Sequence, residues 1–194
     1  MIATVRGSMR DRLIEAANEL FYAHGLRAVS ADKVIERVGT TKVTFYRHFP
    51  TKDDLVVAYL EHRAAQEREG VDAAIAYGGG DVDVTLGLMA DHTGTMACTP
   101  GFRGCPFINA AAEYADPDSA VRRVVDTHRA WWASAFVRLV EPLGLADPDA
   151  VAEDLVLLRD GVMVAGYLGD PSRVAASFLR SCRAVVGSAE RAAA

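Results

Sequence analysis

Residues 30 to 55 read Ser30-Ala31-Asp32-Lys33-Val34-Ile35-Glu36-Arg37-Val38-Gly39-Thr40-Thr41-Lys42-Val43-Thr44-Phe45-Tyr46-Arg47-His48-Phe49-Pro50-Thr51-Lys52-Asp53-Asp54-Leu55. Ser30 is placed to cap a helix over 31–38, and Gly39, which tolerates positive φ, is placed to end it. A second short helix over 41–48 follows at once and stops at Pro50. Thr51 with Asp54 three residues later is a capping box for the next helix. Two short helices joined by a tight glycine turn are the layout of a helix-turn-helix, whose second helix enters the major groove of DNA. Here that second helix is crowded with groups that can hydrogen-bond to DNA.

Upstream, Ser8 and Asp11 form another capping box, and Leu13, Ile14, Ala17, Leu20 and Phe21 recur at helical spacing up to Gly25, the natural stop. His24 is then a helix C-terminal residue near the negative end of the dipole. Downstream, a helix runs from Lys52 toward Gly70 with Leu55, Tyr59 and a polar run from Glu61 to Glu69, long enough to connect two domains. Gly78-Gly79-Gly80 is a break, and it is no phosphate loop, because no strand precedes it and no Gly-Lys-Ser/Thr follows. Helical patterns resume over 82–97, 105–114, 118–141, 149–168 and 172–188, with Pro100, Pro106, Pro117, Pro148 and Pro171 at or near their beginnings. Strand alternation and internal repeats are absent. The expected fold is all-α: an N-terminal three-helix helix-turn-helix domain over 1–53, then a C-terminal helical ligand-binding and dimerisation domain over 54–194.

The 194 residues are 51% hydrophobic and 24% charged, the composition of a globular protein. No apolar stretch approaches the roughly 20 residues that span a bilayer. Residues 1–6 lack the apolar core of a signal peptide, so the expectation is a cytoplasmic protein with no membrane partner. The net charge of −5 is unevenly spread: residues 1–63 carry +2 and the remainder −7. All three lysines (Lys33, Lys42, Lys52) lie in or beside the helix-turn-helix, a mildly basic head compatible with phosphate contact. Three cysteines (Cys98, Cys105, Cys182) and five scattered histidines match no zinc spacing, so no metal or other cofactor is expected.

Three segments carry a family resemblance: Glu19-Leu-Phe-Tyr-Ala-His-Gly25, Gly39-Thr-Thr-Lys42 and Thr44-Phe-Tyr-Arg-His-Phe-Pro-Thr-Lys-Asp-Asp-Leu55. Over residues 10–60 the chain resembles the TetR family of transcriptional repressors. It departs from the pattern at Ile35 and Val38, where the family often has alanines, and a small packing adjustment is expected there. The rest resembles that family's variable ligand-binding domain, with Gly104-Cys-Pro-Phe-Ile-Asn109 similar to one subset of its members.

Thr41, Lys42 and Thr44 lie near the start of the reading helix, where side chains reach base edges or nearby phosphates. Lys42 suits a guanine or a phosphate, and Arg47 suits base or backbone. Tyr46 and His48 suit phosphates, as matching positions do in the family. Lys52 and Ser30 stand at helix starts, where backbone amides also favour phosphate. Phe45 and Phe49 anchor the unit in its own core.

In the body, the segment 118–141 has an apolar stripe containing His128, with Trp131 and Trp132 diverging by about 100° around the helix. Candidate ligand-lining residues are Met89, Phe102, Cys105, Phe107, His128, Trp131, Trp132, Met163 and Tyr167; ordinary core packing accounts for each of them as well. Residues 155–168 are apolar on nearly every side, as in a helix buried all round. With the stripe 174, 178, 181 and 185 on the last helix they form the expected dimer interface, represented by Leu155, Leu158, Val162, Ala165, Val174, Phe178 and Val185. The resemblance implies a homodimer that binds a palindromic double-stranded DNA operator and is released by a small, mostly apolar effector. Catalytic motifs are lacking, so no enzyme is expected. The rival readings are a regulator sensing oxidation through Cys98 or Cys105, and a helical interaction protein without specific DNA binding.

Overall fold

The computed structural model describes residues 7–193. The run 1–6, read above as lacking a signal-peptide core, and Ala194 of the final alanines lie outside the described residues. Among the described residues every regular element is helical. The order is α1 (Met9–His24), α2 (Ala31–Val38), α3 (Lys42–His48), α4 (Lys52–Gly78), α5 (Val82–Ala97), α6 (Pro106–Glu113), α7 (Ala120–Val140), α8 (Pro148–Leu168) and α9 (Val174–Ala193), with short 3-10 turns at Glu141–Leu143 and Pro171–Arg173. The described residues divide into two compact units, one within Met1–Ala65 and Pro106–Asp126, the other within Gln66–Cys105 and Thr127–Ala194. The division falls inside α4, at the start of α6 and inside α7.

In the first unit the caps read from sequence are made. Ser8 and Asp11 exchange hydrogen bonds at the start of α1. The Ser30 side chain accepts from the Lys33 N–H at 3.3 Å, and Asp54 closes a reciprocal box with Thr51 at 2.8 Å. Each satisfies an amide that the helix start would otherwise leave orphaned. Gly39 ends α2 in the left-handed region (φ 70°, ψ 46°), a conformation a side chain would strain, and its N–H returns to Ile35 and Glu36. The core comprises Leu13, Ala17, Phe21, Val29, Val34, Phe45, Phe49, Leu55 and Tyr59. Phe21 and Tyr59 meet edge-on at 5.7 Å between ring centroids. Ile35 is buried with them and Val38 is half-buried, so the two bulkier residues are accommodated.

In the second unit α5, α8 and α9 pack together. Gly94 sits where α5 meets α9: a Cβ there would stand 2.7 Å from the Ala175 Cβ, so only glycine permits this approach. The core runs through Leu86, Met89, Phe136, Leu139, Leu155, Val162, Val174, Phe178, Cys182 and Val186.

One local expectation needs correction. Helix α4 does not stop near Gly70 but continues to Gly78, because Val71 is buried and one glycine costs a helix only about 1 kcal/mol. The α9 positions buried in the chain's own core are 174, 178, 182 and 186, alongside the 174, 178, 181 and 185 expected at the subunit interface. Steps of four keep Cys182 and Val186 inward and leave Ser181 and Val185 half-buried. Within the single chain, α8 leaves part of its apolar surface uncovered. Leu157 is 63% exposed and Leu168 75%, with Gly161, Val164 and Ala165 also exposed between them.

Candidate nucleic-acid interface

Helix α3 is seven residues long and is held by its two phenylalanines. Phe45 is fully buried and Phe49 nearly so, 6.1 Å apart between ring centroids. Positions about 200° from Phe45 must therefore face away from the core. Val43 does so at 81% exposure, and Tyr46 and Arg47 flank it, Tyr46 at 48%. At the N-terminus Thr41 caps the helix: its hydroxyl accepts the Thr44 N–H at 3.2 Å and lies 3.1 Å from the Thr44 hydroxyl. Thr44 is thereby half-buried and committed to its own helix start. Lys42 Nζ is 2.9 Å from an Asp32 carboxylate oxygen, and this hydrogen bond, with the charge behind it, raises the lysine's pKa.

The remaining residues of the expected set are less uniform. Ser30 is exposed and serves as the cap of α2. His48 is half-buried, its Nε2 buried without a hydrogen-bond partner among the described residues. Lys52 is half-buried at the start of α4, and desolvation lowers its pKa despite the carboxylates of Asp53 and Glu113. Thus Lys42, Tyr46 and Arg47 share an outward face with Val43, whereas Thr44, His48 and Lys52 are partly withdrawn. Val43 was missed by a search for hydrogen-bonding groups. Its signal was the helical wheel, since a valine opposite a buried phenylalanine on so short a helix has nowhere to go but outward.

The second unit contains a buried polar knot. Glu67 Oε2 accepts from His128 Nε2 at 3.0 Å, Arg159 Nη2 at 3.1 Å and Trp132 Nε1 at 3.3 Å. Arg159 Nη1 donates to Cys105 Sγ at 3.2 Å and to Asp160 at 3.3 Å, and its guanidinium lies 5.0 Å from the centre of the Trp132 ring. Asp160 also pairs with Arg129. The Arg68 guanidinium lies 5.6 Å from the Trp131 ring centre. Burial lowers the His128 pKa more than Glu67 restores it, so the imidazole is neutral and donates through Nε2. Burial by itself would raise the Glu67 pKa, but the hydrogen bond from His128 and the charge of Arg159 hold it below the usual value.

Of the expected ligand-lining set, Cys105, His128, Trp131 and Trp132 come together in this knot. Met89 is in the core of the second unit; Phe102 and Met163 are packed against that core. Tyr167 is half exposed, and Phe107 is buried in the first unit. Glu67 and Arg159, which organise the knot, were not singled out. Arg159 carried a signal, because a lone arginine inside an apolar helix must find a partner. Glu67 sat in a run of charges that reads as a solvated face. Of the residues expected between subunits, Leu155, Val162, Val174 and Phe178 are buried in the chain's own core, Leu158 and Val185 are half-buried, and Ala165 is exposed.

Among the described residues no group of three or more His, Cys, Asp or Glu is arranged to hold a metal ion, and no helix is long and apolar enough to cross a membrane.

Residues 13–59 match the family model of bacterial regulatory proteins of the tetR family. The crystal structure of SCO4454, a TetR-family transcriptional regulator from Streptomyces coelicolor, superposes with a TM-score of 0.85 at 38% identity, covering 93% of this chain and 95% of that one. The transcriptional regulator LmrA of Bacillus subtilis is 20% identical over 82% of this chain and 87% of its own. The transcriptional activator FasR of Mycolicibacterium smegmatis is 33% identical over 70 residues, and the chain spans only 32% of its length. An exposed reading helix on a buried phenylalanine pair, a full-length structural match and the matched N-terminal segment agree: the chain belongs to the TetR family and is a DNA-binding transcriptional regulator rather than an enzyme.

Proposed function

We propose that the protein is a cytoplasmic repressor that binds a palindromic operator as a homodimer and is released by a small, mostly apolar effector. In this reading residues 1–53 read DNA and residues 54–194 bind effector and partner. The observation that carries it is the outward face of α3, where Lys42, Val43, Tyr46 and Arg47 project from a helix fixed by Phe45 and Phe49. The valine suits a thymine methyl, and its neighbours suit guanine acceptors or phosphates. The Lys42–Asp32 pair does not forbid this. Both side chains are about two-thirds exposed, so solvent screens the pair and Lys42 exchanges Asp32 for DNA readily. Ser30, Thr41, Thr44, His48 and Lys52 supply the flanking contacts. The aromatic groups His128, Trp131 and Trp132 line the effector site, and the exposed apolar face of α8 meets a second copy of the chain.

The test is binding of the pure protein to DNA from upstream of its own gene and to scrambled DNA, with Lys42→Ala/Tyr46→Ala as control. Tight, salt-sensitive binding lost in the double variant is expected. If that fragment is not preferred, operator DNA is sought from a random-sequence pool, and failure to select any sequence would sink the reading. A thiol-sensing variant of this function has one observation in its favour, the Arg159 contact to Cys105 Sγ, whose geometry oxidation of the sulfur would alter. It requires that peroxide abolish DNA binding and that Cys105→Ser prevent the loss.

A further inference from the structure

The end of α6 is stitched to the helix-turn-helix by four long-range hydrogen bonds, all within the first unit. The Glu113 carboxylate accepts two backbone amides, from Leu26 at 2.9 Å through Oε1 and from Arg27 at 2.7 Å through Oε2. Arg27 answers through its side chain: Nε donates to the Glu113 carbonyl at 2.7 Å, and the guanidinium lies 5.6 Å from the centre of the Tyr114 ring. The Tyr114 hydroxyl donates to Asp53 Oδ1 at 2.7 Å. Burial and this carboxylate push the phenol's pKa up, so it remains a donor at any ordinary pH.

The grip is placed on both sides of the α2–α3 helix pair. Leu26 and Arg27 lie in the turn between α1 and α2, and Asp53 lies in the first turn of α4, directly after α3. A carboxylate bound by two amides through its two oxygens is fixed in orientation as well as distance. The partners are 61 to 87 residues apart in sequence, so no local preference produces these contacts. The chain leaves the first unit and re-enters it within α4, at 105–106 and within α7. With the clamp made, the segment 106–126 is tied to the turn before α2 and to the first turn of α4, on either side of the α2–α3 pair. With it broken, these four hydrogen bonds no longer tie the end of α6 to the α1–α2 turn and the start of α4.

We propose that Glu113 and Tyr114 are positioning residues for operator recognition: they touch no DNA, but they hold the helix-turn-helix at the orientation that sets the half-site spacing the dimer accepts. The proposal rests on the operator-binding reading above and extends the DNA-reading machinery well beyond the matched segment 13–59.

The experiment uses the full chain and an operator selected by the wild type from random-sequence DNA. Affinities of wild type, Glu113→Gln, Glu113→Ala and Tyr114→Phe are measured for that operator, for operators with half-sites moved by one or two base pairs, and for non-specific DNA. Glu113→Ala is expected to weaken operator binding about tenfold and to flatten the spacing dependence, with non-specific binding unchanged. Tyr114→Phe does the same more weakly, and Glu113→Gln, whose amide oxygen keeps one acceptor, falls between wild type and Glu113→Ala. An unchanged spacing dependence in folded Glu113→Ala protein refutes the proposal. So does an equal loss on specific and non-specific DNA that tracks a loss of circular dichroism, which is mere destabilisation. A wild type that selects no DNA defeats the operator-binding reading itself, and the proposal with it.

Discussion

Replacing Glu67 by glutamine removes one charge from the centre of the buried knot and almost nothing from its volume. In the wild type, Oε2 takes three donors, and the carboxylate balances an arginine that is only 8% exposed. Removing one partner of a buried ion pair costs about 3–5 kcal/mol, because the other charge is left in a poor solvent. Two features reduce that figure here. Glutamine keeps an oxygen that can still accept, and Arg159 retains Asp160 at 3.3 Å. About 2–3 kcal/mol remains. For a chain of this length each kcal/mol lowers Tm by about 2–4 °C, so Glu67→Gln melts about 4–12 °C below wild type. Glu67→Ala, which orphans all three donors, falls further. The chain has only two tryptophans, Trp131 and Trp132, both in the second unit and both beside the knot, so their fluorescence during urea or thermal unfolding reports the right region. A double-variant cycle with Arg159→Met isolates the pair, with an expected coupling of at least about 1 kcal/mol. If Glu67→Gln unfolds within about 0.5 kcal/mol of wild type, or if the two substitutions add, the knot does not stabilise the second unit as argued.

Further expectations concern other parts of the molecule. His128 is held neutral by burial, below its ordinary pKa of about 6.5, so the unfolded chain takes up a proton there that the folded chain refuses. Its contribution is complete above pH 6.5 and is lost as the pH falls from there toward its folded pKa. Urea unfolding of His128→Gln across pH 7 to 5 therefore shows a shallower acid decline than wild type. Phe45→Ala, opposite the reading face, destabilises the first unit by about 3–5 kcal/mol and abolishes DNA binding without removing a DNA contact, as circular dichroism melts and a binding assay together reveal. On the proposed homodimer reading, Leu157→Glu/Leu168→Glu, which places two charges on the exposed face of α8, converts the dimer to a monomer in analytical ultracentrifugation with unchanged helical content, and a wild type that is already monomeric refutes that reading.

The first unit was legible because its signals are local. Ser8, Ser30, Thr51 and Gly39 each act within four residues, through caps and a left-handed turn, so the starts of α1, α2 and α4 and the end of α2 follow from the chain alone. The alternation of Phe45 and Phe49 against polar neighbours likewise distinguishes the core face of α3 from its reading face, although Val43 was overlooked for lack of a hydrogen-bonding group.

Other features depend on partners distant in sequence, and only the tertiary structure decided them. Glu67 looks like one more charge on a solvated helix until His128, Trp132 and Arg159 converge on it from 61 to 92 residues away. Glu113 looks like the last residue of a short helix until two amides near residue 26 meet its carboxylate. The face of α8 that stays exposed also follows from packing, since a stretch apolar on nearly every side offers most faces and α5 and α9 cover only part of it. Local hydrogen bonds and the 3.6-residue period are written in neighbouring residues; the partner of a buried charge is chosen by the whole chain's packing, because burial is what makes that partner necessary.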